Sequence, residues 1–178
     1  MNNNFELIKN FKDLPTPAYV CEESLLKKNL ELLKKVQDNT GVKILLALKG
    51  FALWSTFDLC KEYLQGCCAS GLHEALLAKE KFGLEVHTYS PGFKDDEIDE
   101  IASISHHVVF NSFTQLNRYK NRVKESSSIG LRVNPEYSSV EVDLYNPCAA
   151  FSRLGITRKN FQSEDLEHVE GLHFHALC

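Results

Sequence analysis

Short apolar runs alternate along this chain with longer amphipathic stretches. Residues 43–48 read Lys-Ile-Leu-Leu-Ala-Leu, a run apolar on both faces, which marks a strand covered on both sides. Similar short runs follow at 66–70, 84–89, 107–111, 129–134 and from Gly171 onward. The stretches between them carry apolar residues at helical spacing. Leu25, Leu26, Leu30, Leu32, Leu33 and Val36 give one face of a helix that Ser24 is expected to cap and that ends near residues 39–41. Further helices are expected over 54–63, 73–82, 95–103, 114–123 and, after a long loop at 135–152, over 161–168. Ahead of all this, residues 1–15 form a polar, partly helical lead-in with Phe5, Leu7, Ile8 and Phe11 loosely spaced as in a helix. Leu14-Pro15-Thr16-Pro17 breaks it, and residues 18–21 read as a short strand.

Strand starts recur roughly every 20 to 22 residues, the repeat of a strand–helix unit that builds parallel sheets. Two architectures use that unit. A doubly wound open sheet usually carries a glycine-rich turn after its first strand, and Lys49-Gly50-Phe51-Ala52 has no G-x-G-x-x-G. A (β/α)8 barrel of the TIM type gathers functional residues at the carboxyl ends of many strands. Here those ends carry Lys49, Ser70, Tyr89-Ser90, Asn111, Arg132 to Asn134 and His175, so the barrel is the expected fold, with six of its βα units present. The stretch from Glu170 opens like another buried strand and stops inside it, and an unfinished sheet leaves backbone groups unpaired. The chain is therefore expected to be the front part of a longer protein, about two βα units short of closure.

Composition narrows the class. The chain has 178 residues, one quarter charged and 43% hydrophobic, which suits one soluble globular domain with a real core. A net charge of −4 and the lack of any basic block argue against a nucleic-acid partner. No run approaches membrane-spanning length and no apolar segment follows the polar start, so no membrane partner and a cytoplasmic location are expected. The six cysteines show neither C-x-x-C nor zinc spacing. They read as reduced thiols, with Cys67 and Cys68 packed one per strand face and no metal site among them.

Lys49 is the residue with the most pointed chemistry. A lysine at the end of a buried strand is disfavoured as an ammonium, loses its proton more readily and can act as an amine nucleophile toward a carbonyl. The plainer alternative is a strand that stops at a solvated charge. His173 and His175 share one face of their strand, His173 as a deeper core-layer residue. Arg132 ends an apolar strand, where a permanent charge needs a partner; a salt bridge across the sheet mouth is one candidate. Glu74, in the first turn of its helix, is suited to the helix dipole.

Taken in order, Ala47-Leu48-Lys49-Gly50, Ala69-Ser70-Gly71-Leu72-His73-Glu74, Val86-His87-Thr88-Tyr89-Ser90-Pro91, Leu131-Arg132-Val133-Asn134-Pro135-Glu136, Ser152-Arg153-Leu154-Gly155 and Gly171-Leu172-His173-Phe174-His175 resemble the alanine-racemase-like, fold-type III decarboxylases that use pyridoxal 5'-phosphate. Asn146-Pro147-Cys148, leading to Ser152-Arg153-Leu154-Gly155, is most similar to the carboxynorspermidine (carboxyspermidine) decarboxylase family. The resemblance runs from about Pro15 to the end.

It implies a barrel over residues 22–178 and, over 1–21, a lead-in and strand that pair with a C-terminal β-domain. It implies decarboxylation of carboxynorspermidine or carboxyspermidine to norspermidine or spermidine, with a small polyamine precursor as substrate and a homodimer with shared active sites. Lys49 is then the catalytic lysine that holds the cofactor, and His175 stacks on its ring. Arg132 lies beside the cofactor, Ser70 contacts it at the second strand end and Cys178 lies near its phosphate, where relatives have a small polar residue. Glu74 contacts substrate, although related decarboxylases carry that acid one position sooner. The acid that pairs with the ring nitrogen, the main phosphate-binding glycine segment and the β-domain are expected beyond Cys178. Diaminopimelate or another amino-acid decarboxylase of this fold, and a non-catalytic regulatory relative that binds the cofactor, are the alternatives.

Overall fold

A computed structural model describes residues 14–177. Its strands are β1 (Leu45–Ala47), β2 (Gly66–Ala69), β3 (Glu85–Tyr89), β4 (His107–Phe110), β5 (Ser128–Arg132) and β6 (Val169–His173). They form one sheet in the order β1-β2-β3-β4-β5-β6, every pair parallel. A doubly wound sheet reverses its strand order at a switch point. Strictly sequential order is that of a barrel wall.

The helices lie on one face of this sheet. α1 (Glu23–Thr40) leads into β1. Its first turn is capped by the Glu22 carboxylate, which accepts the Ser24 N–H at 3.2 Å, so Ser24 is already helical rather than the cap. At its other end Gly41 takes a left-handed conformation (φ 74°) and returns its N–H to Gln37. Buried Gln37 then stitches helix to sheet: its amide donates to the Tyr63 carbonyl at 2.7 Å and accepts the Ile44 N–H at 2.8 Å.

A 3₁₀ turn Trp54–Thr56 runs into α2 (Phe57–Cys60), α3 (Leu72–Leu77) runs into a π-helical turn Ala78–Phe82, and α4 (Ile98–Ile104) and α5 (Phe113–Val123) complete the layer. Alternation along each strand sends one set of side chains under these helices. Cys67, Ala69, Val86, Thr88, Val108, Phe110, Ile129 and Leu131 are all 3% exposed or less. They anchor two packed clusters, one centred on Phe57 and Phe82 under β1 to β3, the other on Phe110, Leu116 and Tyr119 under β4 and β5. Three polar groups caught there are satisfied, the Thr88 and Ser105 hydroxyls by each other at 2.7 Å and Ser127 by the Ala102 and Ser105 carbonyls at 2.8 Å.

Some expectations do not hold. Residues 18–21, expected as a strand pairing with a C-terminal β-domain, run without pairing among the described residues, and Tyr19 is fully exposed. No α-helix covers 161–168, where a single 3₁₀ turn, Ser163–Asp165, stands instead, preceded by another at Arg158–Asn160. Phe161 and Leu166 are its only large apolar residues that pack on the core, and five residues apart they cannot share a helical stripe. The helix expected over 54–63 is a 3₁₀ turn and a single α-turn. The lead-in over residues 1–13 and Cys178 lie outside the described residues. The five described cysteines are free thiols, and among the described residues no helix is long and apolar enough to cross a membrane.

Gly66 marks the tightest approach in the sheet. A methyl added there would meet the Glu85 carbonyl oxygen at 2.1 Å. Gly66→Ala is therefore expected to lower the unfolding free energy of the full-length protein by about 1–3 kcal/mol or more, while Gly92→Ala, where the added methyl meets nothing within 4 Å, changes it by under ~0.5 kcal/mol. Urea denaturation of both variants measures the contrast.

Candidate functional site

The opposite face of the sheet lines a cavity of about 590 Å³. Strand register sorts its lining into rows. The lowest complete row runs Ala47, Cys68, His87, His107 and Ser128. Tyr89, Val109, Gly130 and Gly171 lie above it, and Arg132 pairs with His173 above those. Lys49, Ser70 and His175 follow two residues after Ala47, Cys68 and His173, and all three line the same cavity. The strand ends thus bring Lys49, Ser70, Arg132 and His175 together, as the sequence suggests. His175 sits two residues beyond the end of β6 rather than on it.

Lys49 is exposed, so the desolvation expected of it is not present here. Its position comes from β1 and the turn after it: the Leu48 N–H still bonds to Cys68 at 3.1 Å, and the Gly50 and Phe51 N–H groups both fold back onto the Ala47 carbonyl at 3.0 Å. Arg132, by contrast, is 5% exposed. Among the described residues it has no carboxylate partner, which removes the salt bridge across the mouth. Instead its guanidinium lies 4.7 Å over the Tyr89 ring, a cation–π contact of about 0.5–2 kcal/mol, and its Nε has no hydrogen-bond partner.

Tyr89 is fixed in turn. Its hydroxyl donates to Asn111 Oδ1 at 2.8 Å, and its ring meets His173 edge-on at 5.0 Å. Burial pushes the Tyr89 phenol up, partly opposed by Arg132, so it stays a donor. Asn111 is the hub of this network and was named in the sequence only as a polar strand end. Its Oδ1 also accepts the Gly155 N–H at 2.8 Å, and its amide donates to the Arg153 carbonyl at 2.9 Å. Gly155 (φ 80°) sits where a Cβ would come 2.8 Å from the Val133 carbonyl carbon, which explains why Ser152-Arg153-Leu154 must end in glycine. The loop then reaches the tail after β6: the Cys148 thiol donates to the His175 carbonyl at 3.6 Å and the Ser138 hydroxyl to that of Ala176 at 2.6 Å.

Glu74, expected to contact substrate, is not among the residues that line the cavity. Its carboxylate accepts the Ser70 N–H at 2.7 Å and closes the turn into α3. Cys68 also departs from expectation: Cys67 is in the core, but Cys68 faces the cavity and is exposed. The sequence alone assigns His87 and His107 no individual role: His87 and Tyr89 alternate on one face of β3, but His107 joins them only through the β3–β4 register.

Positive charge dominates the upper cavity. His175 is held below its ordinary value by burial, then by Arg132 and Lys49. His173 is held down to about 4 by burial, then by Arg132 and His175. Among the described residues Glu170, beside Ser128, is the single carboxylate on the lining. A cavity of this volume suits a small-molecule ligand, in the range of about 300–1,000 Å³. An anionic, aromatic group with a reactive carbonyl fits its donors: an amine at Lys49, a buried cation with an unpaired Nε at Arg132, a hydroxyl at Ser70 and an imidazole at His175.

The sign of the His173 effect is fixed by its depressed pKa. Above 6.5 it is neutral folded and unfolded; below that the unfolded chain takes the proton first, so stability falls as pH drops from 6.5 toward 4. NMR titration is expected to place the His173 midpoint near 4, and His173→Gln to flatten the loss of unfolding free energy over this window.

No family model matches the chain. A carboxynorspermidine/carboxyspermidine decarboxylase of Campylobacter jejuni is 53% identical to it over 168 residues, 94% of this chain and 44% of that one. A carboxyaminopropylagmatine decarboxylase of Synechocystis is 42% identical over 166 residues, 93% of this chain and 43% of the relative. Among solved structures, a C. jejuni carboxynorspermidine decarboxylase complexed with norspermidine superposes with a TM-score of 0.84 at 51% identity, over 93% of this chain and 42% of that one. The chain thus spans less than half the length of the curated relatives it matches. Over nearly all of its own length it is similar to carboxynorspermidine decarboxylases, and its parallel sheet and helices match the N-terminal part of the alanine-racemase-like decarboxylase fold.

Proposed function

We propose that this chain is the N-terminal part of a pyridoxal-phosphate-dependent carboxy-lyase that decarboxylates carboxynorspermidine and carboxyspermidine in polyamine biosynthesis. The observation that carries the reading is the convergence of Lys49, Arg132 and His175 on one cavity, in a chain 53% identical to a decarboxylase of that name. The same identity favours the polyamine reading over a diaminopimelate one. The retained lysine argues against a purely regulatory relative.

Bound there, pyridoxal phosphate supplies a carbonyl for an amine to bond to and a ring that takes up the electron pair left by departing carbon dioxide. Lys49 would tether the cofactor through its amine and, when free as an ammonium, would donate a proton to the carbon that carbon dioxide leaves. The turn at Gly50 and Phe51 fixes where that amine starts. His175 holds the ring face. Arg132, clamped over Tyr89, holds a fixed positive charge beside the ring without having to be ordered on binding. Ser70 offers its hydroxyl at the adjacent strand end. A homodimer with shared active sites belongs to the same proposal. So does the supply of the remaining cofactor contacts by the part of the relatives that this chain does not match.

The test uses the full-length protein with carboxynorspermidine, carboxyspermidine and carboxyaminopropylagmatine in parallel, following carbon dioxide and amine product. Release of norspermidine and spermidine is expected, with Lys49→Ala slower by roughly 10²–10⁴-fold. Turnover of carboxyaminopropylagmatine alone would move the assignment to the substrate named for the Synechocystis relative. A Lys49→Ala enzyme as active as wild type would end the proposed mechanism.

A further inference from the structure

Beneath the strand-end residues, the same face of the sheet carries a second cluster for which the proposed decarboxylation has no use. Glu85 and His87 are two apart on β3 and so share a face, and His107 on β4 is the register partner of His87. The ligating atoms of the three side chains all lie within 4.8 Å of one another. The two imidazole rings are 4.2 Å apart and inclined by 46°. Glu85 turns Oε2 toward His87 Nε2 at 3.2 Å, and its Oε1 is engaged by the Lys43 ammonium.

We propose that Glu85, His87 and His107 form a three-ligand site for a divalent transition ion of the zinc or cobalt kind. Two imidazoles and one carboxylate are the donor set of borderline metals, whereas magnesium and calcium take oxygen ligands. An ion bound at about 2.0–2.2 Å spaces tetrahedral ligands by roughly 3.4 Å. The present spacing closes to that by small side-chain rotations, since His87 and His107 already stand opposite each other on rigid neighbouring strands. Lys43 holds the outer carboxylate oxygen and leaves Oε2 aimed at the site, the part that outer-shell partners play in orienting a ligand. Both histidines line the cavity, so the fourth coordination position opens into it. A bound ion cross-links β3 to β4 and stabilises the folded state by mass action.

The inference stands apart from the cofactor reading, and its readout needs neither cofactor nor activity. Chelator-treated full-length protein is titrated with Zn²⁺ or Co²⁺ alone by calorimetry, with the thermal midpoint recorded in parallel. One site in the micromolar range or tighter, with a raised midpoint, is expected. Glu85→Gln and His107→Gln are each expected to weaken it by roughly 10–100-fold or more, and His73→Ala, exposed on α3, to leave it unchanged. Glu85→Gln keeps the side chain's size and decides the matter if His107→Gln fails to fold. Wild type that binds neither ion, or either glutamine variant folded and binding as wild type does, would overturn the proposal.

Discussion

The site depends on the parallel pairing of β1 to β6, whose register shifts once, between Ile129 and Gly130 against β6. Because side chains alternate along a strand, a slip of one residue would exchange the two faces of the sheet. The register sends Val86, Val108, Phe110, Ile129 and Leu131 under the helices and leaves His87, Tyr89, His107 and Arg132 on the cavity side. The cost of a slip is therefore borne by the core, and the chemistry inherits the precision. Rigid strand ends hold Lys49 and Arg132, while the long loop over residues 135–155 is tied down by Asn111 and Gly155.

Arg132 is the most unusual side chain on that face. A guanidinium taken almost wholly out of water usually requires a carboxylate, and here its neighbours are the Tyr89 ring and two histidines held toward their neutral forms. Burial and Arg132 itself depress His173. The result is a fixed cation in a lining to which the described residues bring one carboxylate, an arrangement that favours an anionic ligand. Tyr89, His173 and Asn111 form the scaffold that keeps that cation in place.

Much of this was legible in the sequence, because strands and helices of a parallel wall announce themselves by period. The strand–helix order, the barrel-type sheet and the convergence of Lys49, Ser70, Arg132 and His175 follow from where apolar runs end. What escaped detection depended on contacts that period does not carry. Glu22 rather than Ser24 caps α1 because its carboxylate accepts the Ser24 N–H, which places Ser24 inside the first turn. Glu74 turns back to Ser70 instead of facing the cavity, since a carboxylate in a helix's first turn has backbone donors close by. The strand expected over 18–21 finds no partner among the described residues, and a lone strand has no reason to be one. The Glu85, His87 and His107 cluster needed the β3–β4 register, which no single segment displays.

The central claim is that Lys49, at the end of β1, is the amine that holds the cofactor over this face. Borohydride reduction of the full-length protein loaded with pyridoxal phosphate, followed by peptide mass mapping, tests it most directly. The account predicts the reduced cofactor's mass on Lys49. The same mass on another lysine, or on none, would contradict it.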